Sequence, residues 1–375
     1  MYQDKNRQGD LSTMGIKDEQ IKQITFFQQE KFNFCGPACS QMFLSHFEIT
    51  NTQQDTAYEE IQKLNTENNP VAFYSSPEGL SDYLDKIIPD NVLGDIDVFS
   101  SDTLQENLDR IYNTIRFAQI PCISLVNKGA HWTVIDGIRF NEGEDGKIEI
   151  TAVHYLDPSD KSPSEGYKFM AALQQQFFLP NTYGNKWKNK LVVLSKKTDE
   201  KFKPIQTEAK TLTIQGGGTG TPIDIALANL DIYGFNDIQK IPDIGGGAPV
   251  TEPIFITGLD GASNFTIVPL DAKATKEFQD FIYVAVEEGT NNLLEIASFS
   301  KVLQIDNDQE METKLQENFP GASFEIIPGY FWKQCFELRS RLSVARQFRL
   351  ENKEMFLLPN GNVTDLLTES LVGGG

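Results

Sequence analysis

Gln29-Glu30-Lys31-Phe32-Asn33-Phe34-Cys35-Gly36-Pro37-Ala38-Cys39-Ser40-Gln41-Met42-Phe43 is the stretch on which the reading of this chain turns. From Cys35 onward the apolar residues Ala38, Cys39, Met42, Phe43 and Phe47 return at steps of three and four, the stripe of a helix packed on a core. Pro37 suits a first helical turn, where its missing N–H would have no partner in any case. Cys35 is therefore expected at the start of a buried helix, where the dipole and the free backbone N–H groups stabilise a thiolate. Gly36 keeps the backbone beside the sulfur uncrowded, so a carbonyl substrate can approach and a local N–H can face the developing oxyanion. Gln29, six residues upstream, is a candidate second donor to that oxyanion. Taken alone, Cys35 can equally be read as a buried hydrophobic cysteine, the commonest state of an unpaired thiol.

A base decides between these readings, and the chain has only three histidines, His46, His131 and His154. His46 lies eleven residues along the same helix, about 16 Å at 1.5 Å per residue, too far for proton transfer. His131 opens the strand-like run His131-Trp132-Thr133-Val134-Ile135 after Gly129-Ala130, which sets its imidazole at a strand edge facing a cleft, with Trp132 on the opposite side to shield or pack. Asp157, in His154-Tyr155-Leu156-Asp157-Pro158, ends the next strand and would reach His131 if the two strands are antiparallel neighbours; its competing reading is the start of an Asp-Pro turn. Alternation puts His154 on the face away from Asp157. Cys39, one turn below Cys35, reads as core packing, and Cys35-x3-Cys39 lacks the second ligand pair of a zinc site. No metal and no cofactor is expected.

Helical periodicity is predicted around 57–64, 77–88 (with Ser75 and Ser76 as N-caps) and 104–117, and strands at 121–126, 131–140 and 148–156. A helix at 167–178 and a strand at 190–194 complete this half. Helices first and an antiparallel sheet second is an α+β pattern. Residues 1–20 read as a polar arm, 21–197 as the first domain, 198–252 as a Gly/Pro-rich linker, and 253–375 as a smaller α+β domain. In the latter, 252–271 and 281–301 are predicted hairpins and 331–350 a helix.

The 375 residues include 53 acidic and 33 basic ones, a formal charge of -20 that repels phosphate backbones, so nucleic-acid binding is disfavoured. No run approaches the ~18 apolar residues of a membrane span, and the first twenty residues have no apolar signal core, which points to the cytoplasm. Four cysteines, Cys35, Cys39, Cys122 and Cys335, are too few for a disulfide framework in a chain this long.

Gln29, Cys35, His131 and Asp157 in that order, with C-G-P-A-C opening a helix and A-H-W-T-V-I-D-G beginning a strand, resemble the papain-like cysteine peptidases. The chain looks closest to the branch that cleaves bacteriocin leaders after double glycine, over residues 21–197. Ser75-Ser76-Pro77-Glu78-Gly79-Leu80, Ile120-Pro121-Cys122-Ile123-Ser124-Leu125 and Leu156-Asp157-Pro158 agree as well. The resemblance implies a papain-like fold in which Cys35 is nucleophile, His131 base, Asp157 orienting acid and Gln29 oxyanion donor; Gly36 and Trp132, beside the thiol and the imidazole in sequence, are the candidate substrate-binding residues. It implies a peptide or protein substrate cut through an acyl-enzyme. The glycine triplets at 216–218, 245–247 and 373–375 then have two readings, flexible linker and tail, or self-processing sites. An acyltransferase, a deamidase or a non-catalytic peptide-binding module would use the same fold. Export-linked members of that branch carry membrane spans and an ATPase, neither of which is read in these residues, so a transport role is not expected, and residues beyond 197 have no counterpart in the resemblance.

Overall fold

The computed structural model describes residues 17–31, 33–65, 75–88, 96–101, 103–126, 131–143, 146–159, 166–169, 190–194, 207–209, 220–231, 238–240, 253–272, 281–299, 303, 305–333, 335, 337–338, 340 and 341–367. The glycine triplets and residues 1–16 lie outside them. The architecture is mixed α+β, with six helices and seventeen strands among the described residues, and these strands join one hydrogen-bonded sheet.

In the first half, α1 (Cys35–Ser45), α2 (Gln54–Leu64) and α3 (Pro77–Ile87) precede β2 (Ile96–Ser100), α4 (Leu104–Asn113), β3 (Cys122–Val126), β4 (His131–Glu142) and β5 (Ile148–Leu156). Every residue of α1 is buried, which is why its sequence is apolar on nearly all sides. Ser76 caps α3, accepting from the Gly79 N–H at 2.9 Å, and Thr103 caps α4 in the same way from Glu106 at 3.2 Å. The sheet is covered on both faces. Met42, Phe43, Ile61, Leu80 and Leu84 of α1 to α3 pack with Ile123, Leu125, Trp132 and Val134 on one. Leu108, Ile111 and Tyr112 of α4 pack with Cys122, Val126, Ile135 and Phe140 on the other. Each such fully buried apolar side chain contributes roughly 1.5–3 kcal/mol.

β4 pairs antiparallel with β3 from His131 to Ile135 and with β5 from Val134 to Glu142, with an irregularity around Asp136. The polar arm is ordered earlier than expected. β1 (Lys17–Gln20) pairs antiparallel with β4, and Arg139 grips both carboxylate oxygens of Asp18 at 2.9 and 3.2 Å. Gly137 permits this docking, because a Cβ there would stand 3.0 Å from the Glu19 carbonyl oxygen and 3.1 Å from the His154 Cβ.

Three expectations are corrected. Residues 166–169, the start of the predicted helix 167–178, form strand β6 (Gly166–Phe169), paired with β5 on one side; residues 170–178 lie outside the described residues. The described residues of 331–350 form no helix: they hold the end of β14 (Phe324–Trp332) and all of β15 (Ala345–Leu350), which pair antiparallel. The apolar spacing of Trp332, Cys335, Leu338 and Leu342 mimics a helical stripe, but Trp332 ends β14, and Cys335, Leu338 and Leu342 fill the core outside any helix or strand. The region 198–252 holds structure: β8 (Thr207–Ala209) pairs in parallel with β5, α5 (Pro222–Asp231) packs on the sheet, and β9 (Ile238–Lys240) pairs antiparallel with β11 (Phe265–Ala272).

Strand β7 (Lys190–Leu194) pairs with β2 and β3. Further on, β10 (Ile254–Gly258) with β11 (Phe265–Ala272), and β12 (Phe281–Glu287) with β13 (Leu293–Phe299), are antiparallel pairs where hairpins were predicted. Helix α6 (Asp308–Asn318) opens with a reciprocal cap between Asn307 and Glu310, and sets Met311 and Leu315 against Phe348 and Leu357. Strands β16 (Lys353–Leu357) and β17 (Val363–Thr364) follow. β6 pairs with both β5 and β13, so the sheet runs on from the first half into the second.

Candidate active site

Cys35 is the first residue of α1, and no side chain caps that end of the helix. Its sulfur meets β4 edge-on. The pairing of β4 with β5 ends at Val134 and Leu156, short of Trp132, and there the Trp132 backbone N–H donates to the Cys35 Sγ at 3.3 Å. An N–H aimed at sulfur stabilises negative charge on it.

His131, adjacent in sequence to that N–H, turns Nε2 to Asp157 Oδ1 at 2.7 Å. The antiparallel register of β4 and β5 brings the start of one strand beside the end of the other, which is how residues 26 positions apart meet. Asp157 begins a turn as well as facing the histidine. Its Oδ1 also accepts from the Ser159 N–H at 2.9 Å and the Ser159 hydroxyl at 2.6 Å. The Pro158 carbonyl of the same turn accepts from the Gln29 N–H at 2.7 Å.

Gln29 thus lies on a loop tied to the Asp157 turn, and its side-chain amide donates to the Lys31 carbonyl at 3.1 Å. Gly36 is buried within α1, its carbonyl accepting from the Ser40 hydroxyl at 3.0 Å. Trp132, a candidate for the substrate surface, is 0% exposed, and its indole N–H donates to the Ser75 carbonyl at 3.0 Å. Its side chain belongs to the core, and what it brings to the site is its backbone N–H. The catalytic candidates are themselves enclosed, with Cys35 0% and His131 1% exposed.

The other histidines sit elsewhere. His46 caps the far end of α1, and burial lowers its pKa. His154 pairs instead with Asp136 at 2.5 Å, both nearly enclosed, and the Gln20 amide from β1 lies within 3.2 Å of each. Cys39 is packed in the same core as Cys35, and all four cysteines are buried and outside any disulfide. Burial pushes the thiol of Cys122 far up and that of Cys335 to about 12.

Sequence reasoning missed three groups of this site: the Trp132 N–H, Ser159, and Gln54, whose amide bonds the loop around Gln29. Leu156-Asp157-Pro158-Ser159 has the signature of an Asx turn, so Ser159 was open to discovery from sequence; the others depend on tertiary packing. Among the described residues no helix is long and apolar enough to cross a membrane, and no group of three or more His, Cys, Asp or Glu side chains is arranged to hold a metal ion. No protein-family profile matches this chain, and neither a curated protein nor a solved structure does.

Proposed function

We propose that this chain is a cysteine peptidase of the papain-like kind, hydrolysing peptide bonds through an acyl-enzyme. The observation that carries the reading is the junction at the start of β4: the N–H of Trp132 on the Cys35 sulfur at 3.3 Å, and the imidazole of the preceding residue on Asp157 at 2.7 Å. A buried structural cysteine has no need of an imidazole–carboxylate pair built one residue away from its hydrogen-bond donor.

In the proposed reaction the Cys35 sulfur attacks the scissile carbonyl carbon as His131 takes the thiol proton. With Nε2 directed at Asp157, Nδ1 is the nitrogen assigned to that proton, and Asp157 supports the imidazolium that forms. The tetrahedral intermediate carries its negative charge on oxygen, stabilised by N–H groups at the start of α1 and by Gln29. Its collapse breaks the C–N bond, and His131 gives the proton to the leaving amine, so a thioester remains on Cys35. Water, deprotonated by His131, attacks the thioester, and the second collapse frees the carboxylic acid and returns the proton to sulfur. Cleavage after Gly-Gly is the specificity proposed, following the resemblance of residues 21–197 to the double-glycine branch.

Mass spectrometry after treatment with iodoacetamide or an E-64-type epoxide tests the reading. One adduct at Cys35 is expected in the wild type, none in Cys35→Ala, and slow labelling in His131→Ala. Labelling of other thiols with Cys35 untouched would sink it.

A further inference from the structure

We propose that Gln54 is a positioning residue for the oxyanion loop: its carboxamide holds the peptide groups on either side of Gln29 and links them, through Gln41, to the helix that carries Cys35. This rests on the thiol-hydrolase reading above and names a residue that the reading does not include.

Gln54 is the first residue of α2 and 1% exposed, an unusual place for a glutamine unless its amide is spoken for. Its Nε2 donates to the Gln28 carbonyl at 2.8 Å and to the Gln41 Oε1 at 2.9 Å, and its Oε1 accepts from the Glu30 N–H at 2.9 Å. Gln41, 5% exposed on α1, passes the chain of bonds on by donating from Nε2 to the Thr52 carbonyl at 2.5 Å. The orientation of both amides is dictated by their partners. A backbone N–H only donates and a carbonyl only accepts, so turning the Gln54 amide over would set donor against donor at Glu30 and acceptor against acceptor at Gln28.

Residues 21–29, between β1 and α1, have no regular secondary structure, and Gln28 and Glu30 are exposed. Such a segment drifts unless tied down. Here three consecutive residues are tied: Gln28 and Glu30 by Gln54, and Gln29 itself by the Pro158 carbonyl at 2.7 Å. The first pair of ties leads to the nucleophile helix and the third to the Asp157 turn. The loop is therefore referenced both to the helix of Cys35 and to the turn of Asp157. An oxyanion donor works only if placed within a fraction of an ångström, and a misplacement of about 1 Å can cost ~10²-fold in rate.

The test compares wild type, Gln54→Met, Gln29→Ala and their double variant on a fluorogenic peptide ending in Gly-Gly, beside the rate of Cys35 alkylation by iodoacetamide. Alkylation displaces iodide in one step and forms no oxyanion, so it reports the thiol without the loop. The expected result for Gln54→Met is a kcat lowered roughly 10- to 100-fold, with KM and alkylation rate held within about twofold. The double variant should be no slower than Gln29→Ala, since Gln54 acts through Gln29. If Gln54→Met does not fold, Gln41→Met, which removes one partner of the Gln54 amide, is expected to lower kcat by a smaller factor with alkylation unchanged. An unaltered kcat in the folded variant, or a double variant whose losses multiply, overturns the proposal while an active, alkylated wild type leaves the hydrolase reading standing. A wild type that neither cleaves the peptide nor alkylates at Cys35 overturns both.

Discussion

Asp157→Asn exchanges a charge for an amide of the same shape, and the surroundings of Asp157 determine what that exchange costs. Oδ1 accepts from His131 Nε2 at 2.7 Å, from the Ser159 N–H at 2.9 Å and from the Ser159 hydroxyl at 2.6 Å. The backbone N–H can only donate, so an asparagine here must turn its oxygen to the shared position and its NH2 away. His131 then keeps the tautomer with the proton on Nε2. What is lost is charge assistance, from roughly 1.5–3 kcal/mol for a bond to a charged group to roughly 0.5–1.5 for a neutral one. A difference of about 1–1.5 kcal/mol lowers kcat/KM about tenfold. Where an asparagine can present its NH2 to the imidazole, the tautomer is wrong and the loss is ~10⁴. Asp157→Ala, which removes the acceptor altogether, is expected to lose ~10²–10⁴. The assay is steady-state cleavage of a Gly-Gly peptide substrate, with melting temperatures measured alongside. A loss beyond ~10³ for Asp157→Asn in a protein that melts like the wild type would refute the claim that Ser159 dictates the orientation.

Three other outcomes are expected. Gly137→Ala would bring a Cβ to 3.0 Å from the Glu19 carbonyl oxygen, so β1 must shift; a loss of roughly 1–3 kcal/mol in urea unfolding and faster amide exchange at residues 17–20 are expected. His154→Leu leaves the buried carboxylate of Asp136 with the Gln20 amide at 3.2 Å in place of its close imidazole partner and should cost about 3 kcal/mol, whereas Asp136→Leu with His154→Leu should cost less, and equal costs would contradict the pairing. Burial holds the thiols of Cys122 and Cys335 protonated, the latter up to about 12, while the unfolded thiols ionise near ~8.5. Folded pKa values above the unfolded ones give stability that is complete below about pH 8.5 and declines as pH rises from there toward the folded values. Urea midpoints at pH 7.5 and 10 in Cys122→Ala and wild type should therefore converge at the higher pH.

Helix α1 was legible because a continuous apolar face with proline in its first turn has few other solutions. The β4–β5 pair was legible because two apolar runs joined by a Gly-containing turn favour antiparallel neighbours, and that register alone brings His131 to Asp157. Residues 331–350 misled because apolar residues in a loop can fall at helical spacing when the core around them is built from both sides. The reciprocal cap of α6 was readable in Asn307-Asp308-Gln309-Glu310, but the helix it opens has a mostly polar composition and only Met311 and Leu315 buried. What connects Gln54 to Gln29 was not legible, since the order of residues in a chain says little about which buried amide will meet which loop.

The double pairing of β6, with β5 on one flank and β13 on the other, bears on how this protein can be dissected. A fragment ending at residue 197 would keep β6 but strip it of β13, and would strip β5 of β8, leaving open rows of N–H and C=O groups on the sheet that carries His131. It would also uncover Ala152, which packs with Val268 and Ile282 from the later strands. Such a piece would offer its raw margins to other copies of itself and precipitate or swap strands with them. Expression of the shortened chain is therefore a poor route to the isolated first half, and the later strands act as the hem that keeps the earlier ones from unravelling.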